Sequence, residues 1–227
     1  MNTKIALMTL ALLPFLAAAP LIADEEQPSS SSESLELVEK SRNTEIYADP
    51  GVDWSVYTRI RLDPATVAFR KNWQRDQNRT QPFKVKTEDM ERIKSEMSAL
   101  FDEVFTEELT TNGGYAMADH NGDDVLRIAP HIVDLDVYAP DTRKTAGVSR
   151  SYTETAGRMT LKLEMYDSVT GDLIATTSDR REAPRRGYMQ WTTSVSNRAE
   201  AKRMLQRWAV DLREGLDQAR TEQPGSD

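Results

Sequence analysis

The stretch Met159 to Tyr166 alternates without a slip: Met159, Leu161, Leu163 and Met165 fall on one face, and Thr160, Lys162 and Glu164 on the other. Successive side chains of a strand point to opposite faces, so this segment predicts a strand with one dry and one wet face. A sheet of such strands has to bury its dry face under a second layer, and antiparallel sheets are the kind that leave one face in water. Asp167, Ser168, Val169, Thr170, Gly171 and Asp172 supply turn chemistry, and Leu173 to Asp179 reads as the returning strand of a hairpin.

Two segments carry the period that a covering layer needs. Met90, Ile93, Met97, Leu100, Phe101, Val104, Phe105 and Leu109 recur at helical spacing between a capping Thr87 and the stop Asn112, Gly113, Gly114. The acids Glu88, Asp89 and Glu91 suit the positive end of that helix. Asn197 and Glu200 resemble a capping box ahead of Ala201, Met204, Leu205, Trp208, Leu212 and Leu216 on one stripe. Val56 to Leu62 alternates and reads as a first strand, stopped by Asp63 and Pro64. Val125 to Tyr138 is β-rich, but its apolar phase changes around Pro130, which predicts a bulge or an edge position there. The order β-α-β-β-β-α predicts an α+β fold: a two-layer sandwich, with an antiparallel or mixed β-sheet and two amphipathic helices packed on one face.

Met1 to Ala23 carries one base, Lys4, then the mostly apolar Ile5 to Ala19, then small residues before Asp24, Glu25 and Glu26. That pattern predicts a signal peptide over residues 1–23 and export to a periplasm or beyond the cell; an uncleaved anchor is the alternative, weakened by Pro14 and Pro20. No second segment approaches a membrane span. Residues 24–44 read as an acidic, serine-rich tether, with Leu35, Leu37 and Val38 compatible with a short helical turn. Residues 45–220 read as a single α+β domain and 221–227 as a disordered tail.

Composition excludes several chemistries. The chain has no cysteine, so it has no disulfide, thiolate zinc site, iron–sulfur cluster, cysteine nucleophile or acylated cysteine. A net charge of −8 argues against nucleic acid as a partner. His131, Asp134 and Asp136 are metal-compatible types, but ordinary wet-face polarity accounts for them better. The loop Asp119, His120, Asn121, Gly122, Asp123, Asp124 has its glycine and its twelfth position wrong for calcium. Neither a G-x-S-x-G elbow nor a glycine-rich phosphate loop is present, and no cofactor is expected.

Thr58 to Lys86 is the unusual region, with eight basic residues against Asp63 and Asp76 and with Phe69, Trp73 and Phe83 interleaved. A second basic cluster, Arg180, Arg181, Arg185 and Arg186, precedes Tyr188 and Trp191. Basic groups among aromatics make partner surfaces, which nominates Arg70, Lys71, Trp73, Arg75, Arg79, Arg185, Arg186 and Trp191 as a candidate interaction surface. The competing account, preferred for the first loop, is intramolecular. Its bases would lie along the acidic helix Thr87 to Asn112 while its aromatics finish the core.

Tyr47, Pro50, Gly51, Val52, Asp53, Trp54, Ser55 and Tyr57, then Leu62, Asp63 and Pro64, resemble the opening of a bacterial envelope family of unknown function whose members are commonly labelled lipoproteins. The turn Asp167, Ser168, Thr170, Gly171 and the stretch Gln190, Trp191, Ser194, Val195, Asn197, Arg198, Ala199, Glu200 are similar to its later segments. The resemblance implies a secreted, non-enzymatic α+β domain of the Gram-negative envelope, and it carries over no site residue. This chain departs from those members in lacking the cysteine that would be acylated.

Together these readings predict a periplasmic, envelope-associated, non-catalytic interaction module that meets an envelope protein or an anionic envelope surface, its oligomeric state left open. The alternative is a hydrolase acting on envelope carbohydrate or lipid through a carboxylate pair.

Overall fold

The computed structural model describes residues 34–80, 84–137, 151–153, 157–183, 190–192 and 194–221. In chain order the elements are β1 (Glu36–Lys40), β2 (Thr44–Ala48), β3 (Arg59–Leu62), β4 (Thr66–Phe69), α1 (Trp73–Thr80), α2 (Thr87–Glu107), β5 (Ala116–Met117), β6 (Val125–Val137), β7 (Ser151–Thr153), β8 (Gly157–Asp167), β9 (Leu173–Glu182), β10 (Gln190–Thr192) and α3 (Ser194–Thr221).

The hairpin legible in the alternation, β8 and β9, lies near the middle of a mixed sheet ordered β1-β2-β9-β8-β6-β3-β5, with β4 also paired to β6. Met159, Leu161, Leu163 and Met165 are all buried, as their period requires. The turn is held by the Asp167 carboxylate, which accepts from the Val169 and Thr170 amides, and by Gly171 at φ +78°, a left-handed conformation that glycine adopts without strain. Strands β6, β8, β9, β2 and β1 run antiparallel in sequence, whereas β3 and β4 run parallel to β6.

The α+β two-layer architecture holds, with more elements than the periodicity announces. The segment expected as a tether to residue 44 forms instead an edge strand from Glu36, paired through Glu36↔Ala48 and Lys40↔Glu45 with β2. Residues 54–56 make a short 3₁₀ turn rather than the start of a strand, because the Asp53 carboxylate accepts from the Ser55 amide and closes the backbone locally.

Pro130 does not break β6. The Ile128 carbonyl accepts from the Asp63 amide, so alternate residues of β6 turn their backbone groups toward β3. Pro130 shares that side, and its missing N–H falls where the chain leaves the sheet between Leu62 and Thr66. The bulge comes later, at Asp134, which has φ +52° and separates the register Val133↔Thr160 from Asp136↔Arg158. Opposite it, Gly157 leaves no room for a side chain: a Cβ would sit 2.3 Å from the Asp136 carbonyl oxygen.

Helix α2 begins at Thr87 itself, so the cap falls one residue earlier than expected, at Lys86. The Asp89 carboxylate reaches back to accept from the Lys86 amide at 3.0 Å. Its stripe Met97, Leu100, Phe101, Val104 and Phe105 is buried, and a π-helical turn over Glu108–Asn112 buries Leu109 before the glycines. Helix α3 starts three residues earlier than Asn197 and buries Ala201, Met204, Leu205, Trp208, Ala209, Leu212 and Leu216. Acids of α2 and of the turn after it meet bases of α3: Glu103 binds Lys202 at 2.7 Å and Glu108 binds Arg213 at 2.8 Å.

Candidate functional site

Seven strand positions span about 29 Å at ~4.8 Å per neighbour, whereas two packed helices cover roughly 20 Å. Among the described residues a strip about one helix wide is therefore left over. It lies at the β1–β2 edge, where a groove of about 960 Å³ opens between that edge, the segment Asp49–Trp54 and the C-terminal half of α3.

The inner wall of the groove is apolar and deep. Leu161, Leu163 and Met165 of β8 and Trp208, Leu212 and Leu216 of α3 line it and are buried. The open side is half-exposed: Ile46 and Ala48 of β2, Val52 and Trp54, and Leu37 of β1, which is 51% exposed. Gly215 lines the groove from α3, and apart from its own stretch of helix no atom stands within 4 Å of where its Cβ would be. A glycine inside a helix costs about 1 kcal/mol relative to alanine, and here it leaves open space.

One end of the groove is a polar hub. Asp179 accepts from Trp208 Nε1 at 2.6 Å, from Arg181 Nε at 2.8 Å and from the Thr44 hydroxyl at 2.7 Å. Arg181 also pairs with Asp211 and lies 5.2 Å above the Trp208 ring. Among the described residues that line the groove are six carboxylates, Glu36, Glu39, Asp49, Asp179, Asp211 and Glu214, against one guanidinium, that of Arg181. The rim is acidic and the floor apolar.

The basic, aromatic segment forms a brace rather than a presented patch. Trp73 is 1% exposed, stacks on Phe69 with ring centroids 4.1 Å apart, and donates from Nε1 to the Val137 carbonyl. It belongs to the packed interior and is withdrawn from the candidate interaction surface. A Trp ring removes so much apolar area from water that burial wins whenever its N–H finds an acceptor. Arg70 binds Asp76 at 2.8 Å and Asp136 at 2.9 Å, and Arg158 meets the same Asp136 carboxylate at 3.1 Å. Asp136 is 1% exposed, and its Oδ1 has no hydrogen-bond partner among the described residues. Asn78 closes the brace by exchanging hydrogen bonds with the backbone of Val85.

Lys71, Arg75 and Arg79 remain on the surface, Arg75 leaning on Asp76 at 3.4 Å. Trp191 stands in β10 opposite Tyr152 of β7, in a two-stranded sheet apart from the main one. Arg185 and Arg186, with Phe83 and Tyr188, lie outside the described residues. The intramolecular account of the loop is right in kind, since its described aromatics finish the interior. Its partners differ in part from that account: among the described residues Arg70 and Arg75 meet Asp76, and Arg70 also meets Asp136.

Of the metal-compatible trio, His131 Nδ1 lies 2.8 Å from the Thr66 hydroxyl, Asp134 is exposed at the bulge, and Asp136 is committed to two arginines. Among the described residues, the carboxyls whose titration is displaced move down. Hydrogen bonds from Arg59 hold Asp124 at about 2, and hydrogen bonds from Arg70 and Lys202 lower Asp76 and Glu103.

The groove escaped the sequence reading because its outer wall has the composition of a tether. The overlooked signal is β-propensity: Leu37 and Val38, then Ile46 and Tyr47, flank Ser41, Arg42 and Asn43, which is hairpin chemistry.

A family model described as a protein of unknown function (DUF3313) matches residues 25–212. No curated protein matches the chain. Among solved structures, protein XCC0632 from Xanthomonas campestris is 13% identical with a TM-score of 0.40, covering 74% of this chain and 90% of that one. The PelC dodecamer from Paraburkholderia phytofirmans gives 11% identity and a TM-score of 0.35 over 72% and 93%. A minor lipoprotein from Acinetobacter baumannii gives 12% and 0.33 over 73% and 96%.

Proposed function

We propose that this chain, which belongs to the DUF3313 family of proteins of unknown function, is an exported, envelope-associated binding module whose site is the groove between the β1–β2 edge and α3. The observation that carries the reading is the groove itself, with an apolar inner wall, a half-exposed mouth and a helix glycine that leaves it open. Export rests on the N-terminal pattern, a base followed by an apolar run and small residues ahead of three acids.

A non-catalytic role is favoured over a carboxylate hydrolase by the direction of the titration shifts. A general acid working near neutral pH needs a carboxyl raised by burial or by a like charge. Asp76, Glu103 and Asp124 are lowered by cations instead, which is the behaviour of exposed ion pairs.

Cell fractionation combined with photocrosslinking tests the reading. The protein is expected in the periplasmic or envelope fraction, and a photoreactive residue at Leu37 is expected to give an adduct that Gly215→Leu removes. The same residue at Arg75 addresses the basic surface. Retention in the cytoplasm, or an adduct from position 37 indifferent to Gly215→Leu, overturns it.

A further inference from the structure

We infer that the groove takes a basic amphipathic helix of a partner protein, aliphatic side chains inward and lysine or arginine on the rim; this rests on the groove being the binding site. Three features carry it. The first is size: the uncovered strip is about one helix wide, and the stretch of α3 from Trp208 to Ala219 that lines it is about 16 Å long, or three helical turns. The second is the floor. Ile46, Ala48, Val52 and Trp54 stand part-exposed beside buried Leu161, Leu163 and Leu212, a surface that an apolar helical stripe would seal.

The third is charge. Of the six rim carboxylates, Asp179 is satisfied inside the hub, Asp211 is neutralised by Arg181, and Glu214 shares Arg213 with Glu108 and Asp217. Glu36 and Glu39 stand exposed on β1, and Asp49 uses its carboxylate on the Gly51 amide. The rim thus keeps a surplus of negative charge around an apolar floor. It repels phosphate and carboxylate headgroups and attracts a cationic segment. The anionic envelope surface that the basic loop suggested is the wrong chemistry for this groove.

The test uses the exported protein purified from cells, titrated calorimetrically with three probes. They are a short leucine–lysine peptide at helical spacing, the same peptide with glutamate for lysine, and dodecyl maltoside below its micelle concentration. The lysine peptide is expected to bind and the glutamate peptide to bind at least about tenfold more weakly. Gly215→Leu, which fills the groove while improving helix propensity, is expected to abolish binding without lowering the melting temperature.

The triple reversal Glu36→Lys, Glu39→Lys, Glu214→Lys is expected to weaken the lysine peptide about tenfold at low salt, and the difference to shrink at about 0.5 M salt. Lysine-peptide binding that survives Gly215→Leu overturns the inference, as does equal binding of both peptides. Detergent binding that Gly215→Leu blocks, with neither peptide bound, overturns the cationic occupant while leaving the groove as the site. Binding of no probe, together with no adduct from position 37 in cells, overturns both.

Discussion

At one end of the sheet Trp73 is sealed against Phe69 and Val137 and flanked by a buried Asp136 between two arginines; at the opposite edge Leu37 and Val38 stand 51% and 66% exposed on a strand with a single neighbour. Both regions mix charge with apolar side chains. They differ in whether the charges are paired inward. Where a carboxylate is available inside the fold, as Asp136 is for Arg70 and Arg158, bases and aromatics condense into a brace. Where acids outnumber bases, as along the groove, the apolar residues keep an open side. The brace is where substitution should cost stability, and the edge is where it should cost binding.

The largest expected effect is at the brace. Trp73→Ala removes a fully buried ring and its hydrogen bond to Val137, and should destabilise the fold by about 3–5 kcal/mol in urea denaturation. Leu37→Ala, at the edge, should cost less than about 0.5 kcal/mol. Similar costs for the two would break the contrast. Asp136→Ala is next. It leaves Arg70 and Arg158 facing an empty, desolvated position, at a cost of roughly 3 kcal/mol. A loss under about 1 kcal/mol would mean that the two guanidinium groups, each partly exposed, are satisfied by water.

The same contrast explains what the chain discloses before its structure is known. The hairpin of β8 and β9, α2 and α3 follow from uninterrupted periods such as Met159, Leu161, Leu163 and Met165, because burying one face is the dominant requirement on a long element. The two-layer α+β arrangement follows from them. The short pieces do not, since β4, β5 and α1 are fixed by tertiary partners. Trp73 reads both as an anchor among arginines and as an aromatic that finishes the core, and its acceptor, Val137, placed beside it by β6, decides for the second. Pro130 reads as the bulge or edge position of β6 until its missing N–H is placed at the gap between β3 and β4. The groove was the least legible of all. It is a property of the mismatch between sheet width and helix count, and its outer wall is written in glutamates.

A smaller effect bears on the edge. Gly215→Ala should raise stability by up to about 1 kcal/mol, because the added Cβ meets nothing beyond its own stretch of helix within 4 Å and the helix gains propensity. Thermal unfolding checks it. A stabilised Gly215→Ala, set beside a Gly215→Leu that is equally stable yet blind to ligand, would separate the groove's function from its contribution to the fold. A destabilised Gly215→Ala would mean that the space beside α3 is narrower than described.

The smallest effect calibrates the brace against an exposed ion pair. Asp124 accepts from Arg59 Nε at 2.8 Å and from the Thr58 hydroxyl at 3.0 Å at the far edge of the sheet, and Arg59 holds its carboxyl at about 2 against an ordinary 3.8. A depressed carboxyl stabilises the folded chain above its unfolded value and loses that contribution as pH falls through the folded one. Acid titration of Asp124→Asn should therefore flatten the fall in stability between pH about 4 and about 2 and remove the same amount at neutral pH, an amount kept small because the pair is in water. Asp136→Ala should instead lose its stability at neutral pH, where the buried carboxylate holds both arginines. If the two variants behave alike at neutral pH, burial adds nothing to the pairing at Asp136, and the brace is no different in kind from the exposed charges at the edges of the sheet.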